Sequence, residues 1–66
     1  MEKFVAGQRW ICRDPTFGTF HGEVIEVSDE GRWGTVITTD DQGNELDIFR
    51  GSAADFQAFG EWQVAE

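Results

Sequence analysis

The sequence has little with which to cross-link itself or to hold a metal: one cysteine, one histidine, one proline and no tyrosine. A single cysteine excludes an internal disulfide, so hydrophobic packing must stabilise the fold. One cysteine and one histidine are also too few for a tetrahedral zinc site. No run approaches the roughly 18 apolar residues of a membrane span. We therefore expect one small domain, residues 1–66, that holds no metal and does not enter a membrane.

Other motifs of catalytic and cofactor-binding proteins are missing too. The eight glycines form neither the dinucleotide-binding fingerprint nor a P-loop. The acidic stretch 40–45 fails as an EF-hand loop, because counting back from Gly43 puts Thr38 at the first ligand position. Residues 1–4 show no basic-then-apolar leader, and a lone thiol suits a reducing compartment. We expect no cofactor and a cytoplasmic location.

Basic residues are scarce, at five against 13 acidic ones, and the net charge is −8. Residues 1–13 carry a net +2 and residues 14–66 a net −10. Because phosphate backbones repel acidic surfaces, nucleic acid is an improbable partner, and a basic protein or a cationic ligand is favoured. An acidic surface that only keeps the protein soluble is the alternative.

Short β-like runs separated by turn signals fill most of the chain. Alternation puts Phe4, Trp10 and Cys12 on one face of the first run. The second run changes phase near Val24–Glu26, which predicts a bulge or a sharp bend. Glycines close the turns at 28–31 and 41–44, which predicts two hairpins. The predicted strands are 4–13, 20–28, 32–40, 45–50 and 61–66.

The chain after residue 44 predicts a strand, a helical turn and a closing strand. In the fourth run, alternation favours Leu46 and Ile48 inward, with Glu45 and Asp47 outward.

The helical turn at 52–59 is predicted to begin at Ser52, which can cap it. Phe56 and Phe59 share one face of this turn and would cover the core. Gly60 ends it, and the last run buries Trp62 and Val64.

This order of elements resembles that of SH3-like barrels, and it predicts an all-β, five-stranded fold of that kind. Three segments carry a likeness to short bacterial and phage proteins of this fold: Gly7-Gln8-Arg9-Trp10, Asp14-Pro15 and Gly22-Glu23-Val24-x-Glu26-Val27. The resemblance implies a fold and no activity. The proline-peptide binding of signalling SH3 domains uses tyrosines that this chain lacks, and the aromatic cages of Tudor-like relatives cannot be mapped onto its residues. An OB-like barrel is the alternative.

A catalytic role for Cys12, Asp14 and His21 is conceivable, because the first two runs are expected to pair. Cys12, however, shares its strand face with Trp10, where a cysteine ordinarily acts as a small hydrophobic residue. We expect no catalytic residue.

The expected core consists of four aromatic and six aliphatic residues: Trp10, Phe20, Phe56, Trp62, Val24, Val27, Ile37, Leu46, Ile48 and Val64. Three aromatic residues exceed what so small a core needs: Phe17, Trp33 and Phe49. If they converge beside Glu45 and Asp47, they form an apolar patch rimmed by carboxylates, suited to a basic or cationic partner. Rings that only complete the core are the alternative. The acidic hairpin tips are Asp29, Glu30, Asp40 and Asp41.

The sequence therefore predicts a non-enzymatic binding module for a protein partner. One alternative is a nucleic-acid mimic whose carboxylates, these hairpin tips with Glu26, Glu45 and Asp47, imitate phosphates. Another is direct nucleic-acid binding through the face that carries Lys3, Arg9 and Arg13. A homodimer formed through an exposed strand edge is a further possibility.

Overall fold

The computed structural model describes residues 3–65, except for the side chain of Phe59. Five antiparallel strands form one sheet in the order β4-β3-β2-β1-β5, so β4 and β5 are its edge strands. A short helix precedes the last strand, as predicted. The elements are β1 (Arg9–Asp14), β2 (Gly18–Ser28), a 3₁₀ turn (Asp29–Gly31), β3 (Trp33–Thr39), β4 (Glu45–Ser52), α1 (Ala53–Phe59) and β5 (Trp62–Ala65).

The two predicted hairpin turns and the bend in the second strand are confirmed. Gly31 and Gly43 have φ angles of 93° and 87°, the left-handed region in which glycine is favoured. The pairing of β2 with β3 shifts register between Val24 and Glu26. This bulge lets Val24 and Val27, three residues apart, both pack toward the core.

The first strand is shorter than the predicted run 4–13. It begins at Arg9, because Gly7 takes a φ of 83° and the N–H of Gln8 donates to the carbonyl oxygen of Val5 in a turn. Phe4 precedes this turn and is still buried, with its N–H donating to the carbonyl oxygen of Gly31 at 2.8 Å. The N-terminal segment therefore packs against the core without joining the sheet.

An aromatic cluster fills the core, and Phe56 of α1 is at its centre. The Phe56 ring lies 4.7–5.8 Å, centroid to centroid, from the rings of four other residues. These are Phe4, Trp10, Phe49 and Trp62. The indole N–H of Trp10 donates to Gln8 Oε1 at 2.9 Å, so the polar atom of this buried ring is satisfied.

The helix forms where the capping signal placed it. The Ser52 hydroxyl accepts the Asp55 N–H at 3.0 Å, and Gly60 ends the helix. Phe56 is buried as predicted. The predicted packing of the Phe59 side chain lies outside the described residues. Within residues 3–65, no helix is long and apolar enough to cross a membrane.

The predicted inward face of β4 is wrong. Leu46 and Ile48 are exposed, whereas Phe49 packs against the core. Phe49 pairs with the buried Val36 of β3, and a Cβ added at Gly51 would lie 3.0 Å from the Phe49 ring, so the Phe49–Gly51 face turns inward.

Two further residues of the expected core lie outside it. Val64 is exposed on the short edge strand β5. Ile37 is only partly buried, because its neighbour Val36 occupies the core position of β3.

We predict that Gly34→Ala destabilises the protein by about 1–3 kcal/mol, the usual cost of overpacking a core. The added Cβ would lie 2.7 Å from both the Glu26 carbonyl oxygen and Phe4 Cδ2. Urea unfolding followed by fluorescence measures the change. Gln63→Ala, at an exposed strand position, is the control and should stay within about 0.5 kcal/mol. Equal stabilities for the two variants would contradict the packing at Gly34.

Candidate functional site

The side of the molecule between the two edge strands is open. α1 connects β4 to β5, and the strand ladder does not continue between them. A cavity of about 290 Å³ lies along β4 on this side. Asp47 and three rings line it: Phe49, Phe56 and Trp62.

A larger cavity, of about 620 Å³, adjoins the first toward the β1–β2 turn. Trp62 and Thr38 line both cavities, so the two form one depression, which we call the β4–β5 groove. Cys12, Phe20 and Leu46 add apolar surface to the second part. Leu46 is 53% exposed. The groove is thus apolar along its floor and open to solvent along β4.

Charged residues surround this apolar floor. The carboxylates are Asp14, Asp47 and Glu61, and the cations are Arg13 and Arg50. Glu45 begins β4 at the same end of the strand as Leu46. Acid therefore exceeds base along the groove, which makes its surroundings favourable to cations.

Of the three aromatics singled out from the sequence, only Phe49 lies in the groove. It lies there with Asp47, but it is not a spare ring, because its centroid is 5.1 Å from that of Phe56. Its role therefore combines core packing with one wall of the groove.

Phe17 and Trp33 lie at opposite ends of β2 and do not converge. Phe17 is 77% exposed in the β1–β2 turn, where Asp14 Oδ1 accepts the N–H groups of Thr16 and Phe17. Trp33 is 51% exposed and pairs with Ser28 at the far end of the strand. The expected three-ring patch is therefore not formed.

Sequence reasoning missed Trp62, Phe20 and Leu46 as groove residues, because it assigned all three to the core. Trp62 is buried and Phe20 packs against the core, as expected. Trp62 also lines the groove because β5 is an edge strand, and strand order has no local signal in the sequence. Leu46 has no partner in the β3–β4 register, which shifts between Thr38 and Thr39, so alternation along β4 does not fix its side.

The acidic hairpin tips lie at opposite ends of β3. Asp29 and Glu30 follow β2, with φ angles of 53° and 57°. Asp40 and Asp41 follow β3. His21 Nε2 lies 3.4 Å from Asp41 Oδ1.

Asp40 organises the β3–β4 turn. Its carboxylate accepts the backbone N–H groups of Gln42 and Asn44 and the side-chain amide of Asn44, at 2.8–3.1 Å. These bonds, the Asn44 backbone N–H first, hold the pKa of Asp40 below its ordinary value. The structure therefore gives Asp40 a folding role.

The basic residues do not form one continuous face. Arg9 and Arg13 are exposed on the outer face of β1, and Arg9 lies opposite Glu23 of β2. Lys3 lies instead beside Gly31, at the far end of β2.

Cys12 and His21 lie on opposite faces of the sheet, which rules out the contact that a Cys–His pair would need. Cys12 pairs with Phe20 across the ladder, whereas His21 pairs with Ile11. His21 lines a separate cavity of about 500 Å³ on the outer face, together with Arg9, Glu23 and Asp41. In the described part of the chain, no three metal-binding side chains cluster.

Comparisons of the chain with protein-family models, with curated proteins and with solved structures give no match. The groove, its charges and the open strand edge are therefore the basis for a function.

Lowering the pH should weaken the β3–β4 turn through Asp40. Because its pKa is lower in the folded state, the contribution of Asp40 is complete above the ordinary aspartate value of about 3.9 and is lost as the pH falls through the lower folded value. The difference in unfolding free energy between the native protein and Asp40→Ala, measured in urea, should thus shrink below about pH 4.

Glu61→Gln is the control, since within residues 3–65 no hydrogen bond to the Glu61 side chain is present. If the difference in unfolding free energy between the native protein and Asp40→Ala is the same at pH 7 as below about pH 4, the role of Asp40 in organising the turn is contradicted.

Proposed function

We propose that this protein is a non-enzymatic, cytoplasmic binding module with an SH3-like barrel, and that it recognises a protein partner through the β4–β5 groove. The strand order and the helix before the last strand support the SH3-like assignment. The observation that carries the functional proposal is the open side of the sheet, where Phe49 and Trp62 line a depression beside Asp47.

The apolar floor of the groove suits an aliphatic or aromatic side chain of the partner. Phe20, Leu46 and Trp62 lie around one cavity. Interface hot spots are enriched in tryptophan and are surrounded by a rim that excludes water, which makes Trp62 the expected anchor. Among the apolar side chains of the groove, Leu46 has the most surface left to bury against a partner, because half of its surface is exposed in the free protein. A partner side chain seated here would remove that apolar surface from water.

The charge around the groove selects a basic partner. Asp14, Asp47 and Glu61 surround the floor, and the whole chain has a net charge of −8. A field of this sign accelerates the approach of cationic proteins. A lysine or arginine held over an aromatic ring adds roughly 0.5–2 kcal/mol.

We predict that Leu46→Ala weakens partner binding about tenfold, or about 1.4 kcal/mol, without unfolding the protein. The partner is first recovered from the native host by pull-down, and the dissociation constants are then measured by calorimetry. Ile25→Ala is the matched control, since Ile25 is 52% exposed but lies at the β2 bulge, away from the groove. Equal losses for both variants, or a loss only in Trp33→Ala, would contradict the groove as the site.

The dependence of binding affinity on salt concentration distinguishes this proposal from nucleic-acid mimicry. A mimic binds through charge alone, so its complex should dissociate steeply between 50 and 500 mM salt, conditions over which screening increases strongly. A complex anchored on the groove should keep most of its affinity. Binding of the purified protein to DNA or RNA would instead favour the Arg9 and Arg13 face.

A further inference from the structure

We propose that the partner binds as an extended strand alongside β4, adding its backbone to the open edge of the sheet and its alternate side chains to the β4–β5 groove. This inference rests on the proposed function and specifies how the groove is used. The occupant is a segment in which apolar residues alternate with lysine or arginine.

The backbone of β4 is available on the side away from β3. The N–H of Ile48 donates to Asp47 Oδ1 at 2.8 Å, so it does not point to β3. In an antiparallel ladder the N–H and C=O groups of one residue face the same side, and every second residue repeats the arrangement. Ile48 and Arg50 thus present donors and acceptors to an incoming strand.

Asp47 covers this edge in the free protein. Its carboxylate occupies the Ile48 N–H, which a neighbouring strand would otherwise use. Charged side chains at an edge strand are one means by which native sheets avoid pairing with themselves. An incoming strand must displace the carboxylate from the Ile48 N–H, and the negative charge of Asp47 and Glu45 at this edge favours a basic segment.

The position of the groove fits side chains that alternate. Successive residues of a strand point to opposite faces, so every second side chain of an added strand would turn toward Phe49 and Trp62. Asp47, Ile48 and Arg50 line the same cavity, which places it directly along this edge.

Charge decides between a basic segment and a second copy of this chain. β4 carries two carboxylates, Glu45 and Asp47, and one cation, Arg50. Two copies joined through β4 would bring four carboxylates together with only two guanidinium groups, whereas a basic segment neutralises the excess of acid. We therefore assign the edge to a basic partner strand.

The probe is an eight-residue peptide of alternating valine and lysine, capped at both ends. It is titrated into ¹⁵N-labelled protein, with amide exchange followed by NMR. We expect saturation to slow exchange of the Ile48 and Arg50 amides at least tenfold. An analogue that is N-methylated on every residue keeps its side chains and charge but can donate no backbone hydrogen bond on either edge, and it should bind at least tenfold more weakly.

The role of Asp47 at the strand edge is tested in the free protein, without peptide. Asp47→Ala should speed exchange of the Ile48 amide several-fold, because its acceptor is removed, and Glu45→Ala is the matched control that should leave it unchanged. An unchanged rate in Asp47→Ala would overturn the role given to Asp47.

Three outcomes would overturn strand addition. One is equal affinity for the methylated and unmethylated peptides; another is no binding at millimolar concentration. The third is protection of the Arg50 amide without peptide, together with a dimer in sedimentation, which would assign the edge to a second copy. None of these removes the proposed function, because the Leu46→Ala measurement with the recovered partner tests that separately.

Discussion

The packing of one ring, Phe56, joins parts of the sheet that the backbone does not join. This ring contacts Phe49 on β4 and Trp62 on β5, and these two edge strands share no ladder. It also contacts Trp10 on β1. In a chain of 66 residues with no disulfide, such aromatic contacts supply burial that a larger core would otherwise provide.

The candidate site follows from this way of closing the fold. Side chains, and not strand pairing, close this side of the molecule. The backbone edge of β4 therefore stays exposed, and the β4–β5 groove remains beside the rings. The Asp47 carboxylate occupies part of that edge, and Leu46 remains exposed beside it. The same feature that completes the core therefore provides a place where a partner can add both backbone and side-chain contacts.

Local signals in the sequence predicted much of the fold. Gly31 and Gly43 mark the turns, and the capping hydroxyl of Ser52 marks the helix, because each depends on a few neighbouring residues. The inward face of β4 could not be chosen in this way, since its two faces carry Leu46 with Ile48 and Asp47 with Phe49. In the structure Phe49 is the residue that turns inward, because it pairs with Val36 and contacts Phe56. The site was predicted only at Phe49 and Asp47, because convergence depends on register and on which edges stay unpaired.

The central claim, that a partner occupies the β4–β5 groove, is tested most directly with fluorotryptophan. The three tryptophans report on three places: Trp10 in the core, Trp33 on the outer face and Trp62 in the groove. Titration with the recovered partner, followed by ¹⁹F NMR, should shift the Trp62 resonance and leave that of Trp33 in place. A shift of Trp33 with no change at Trp62 would contradict the account.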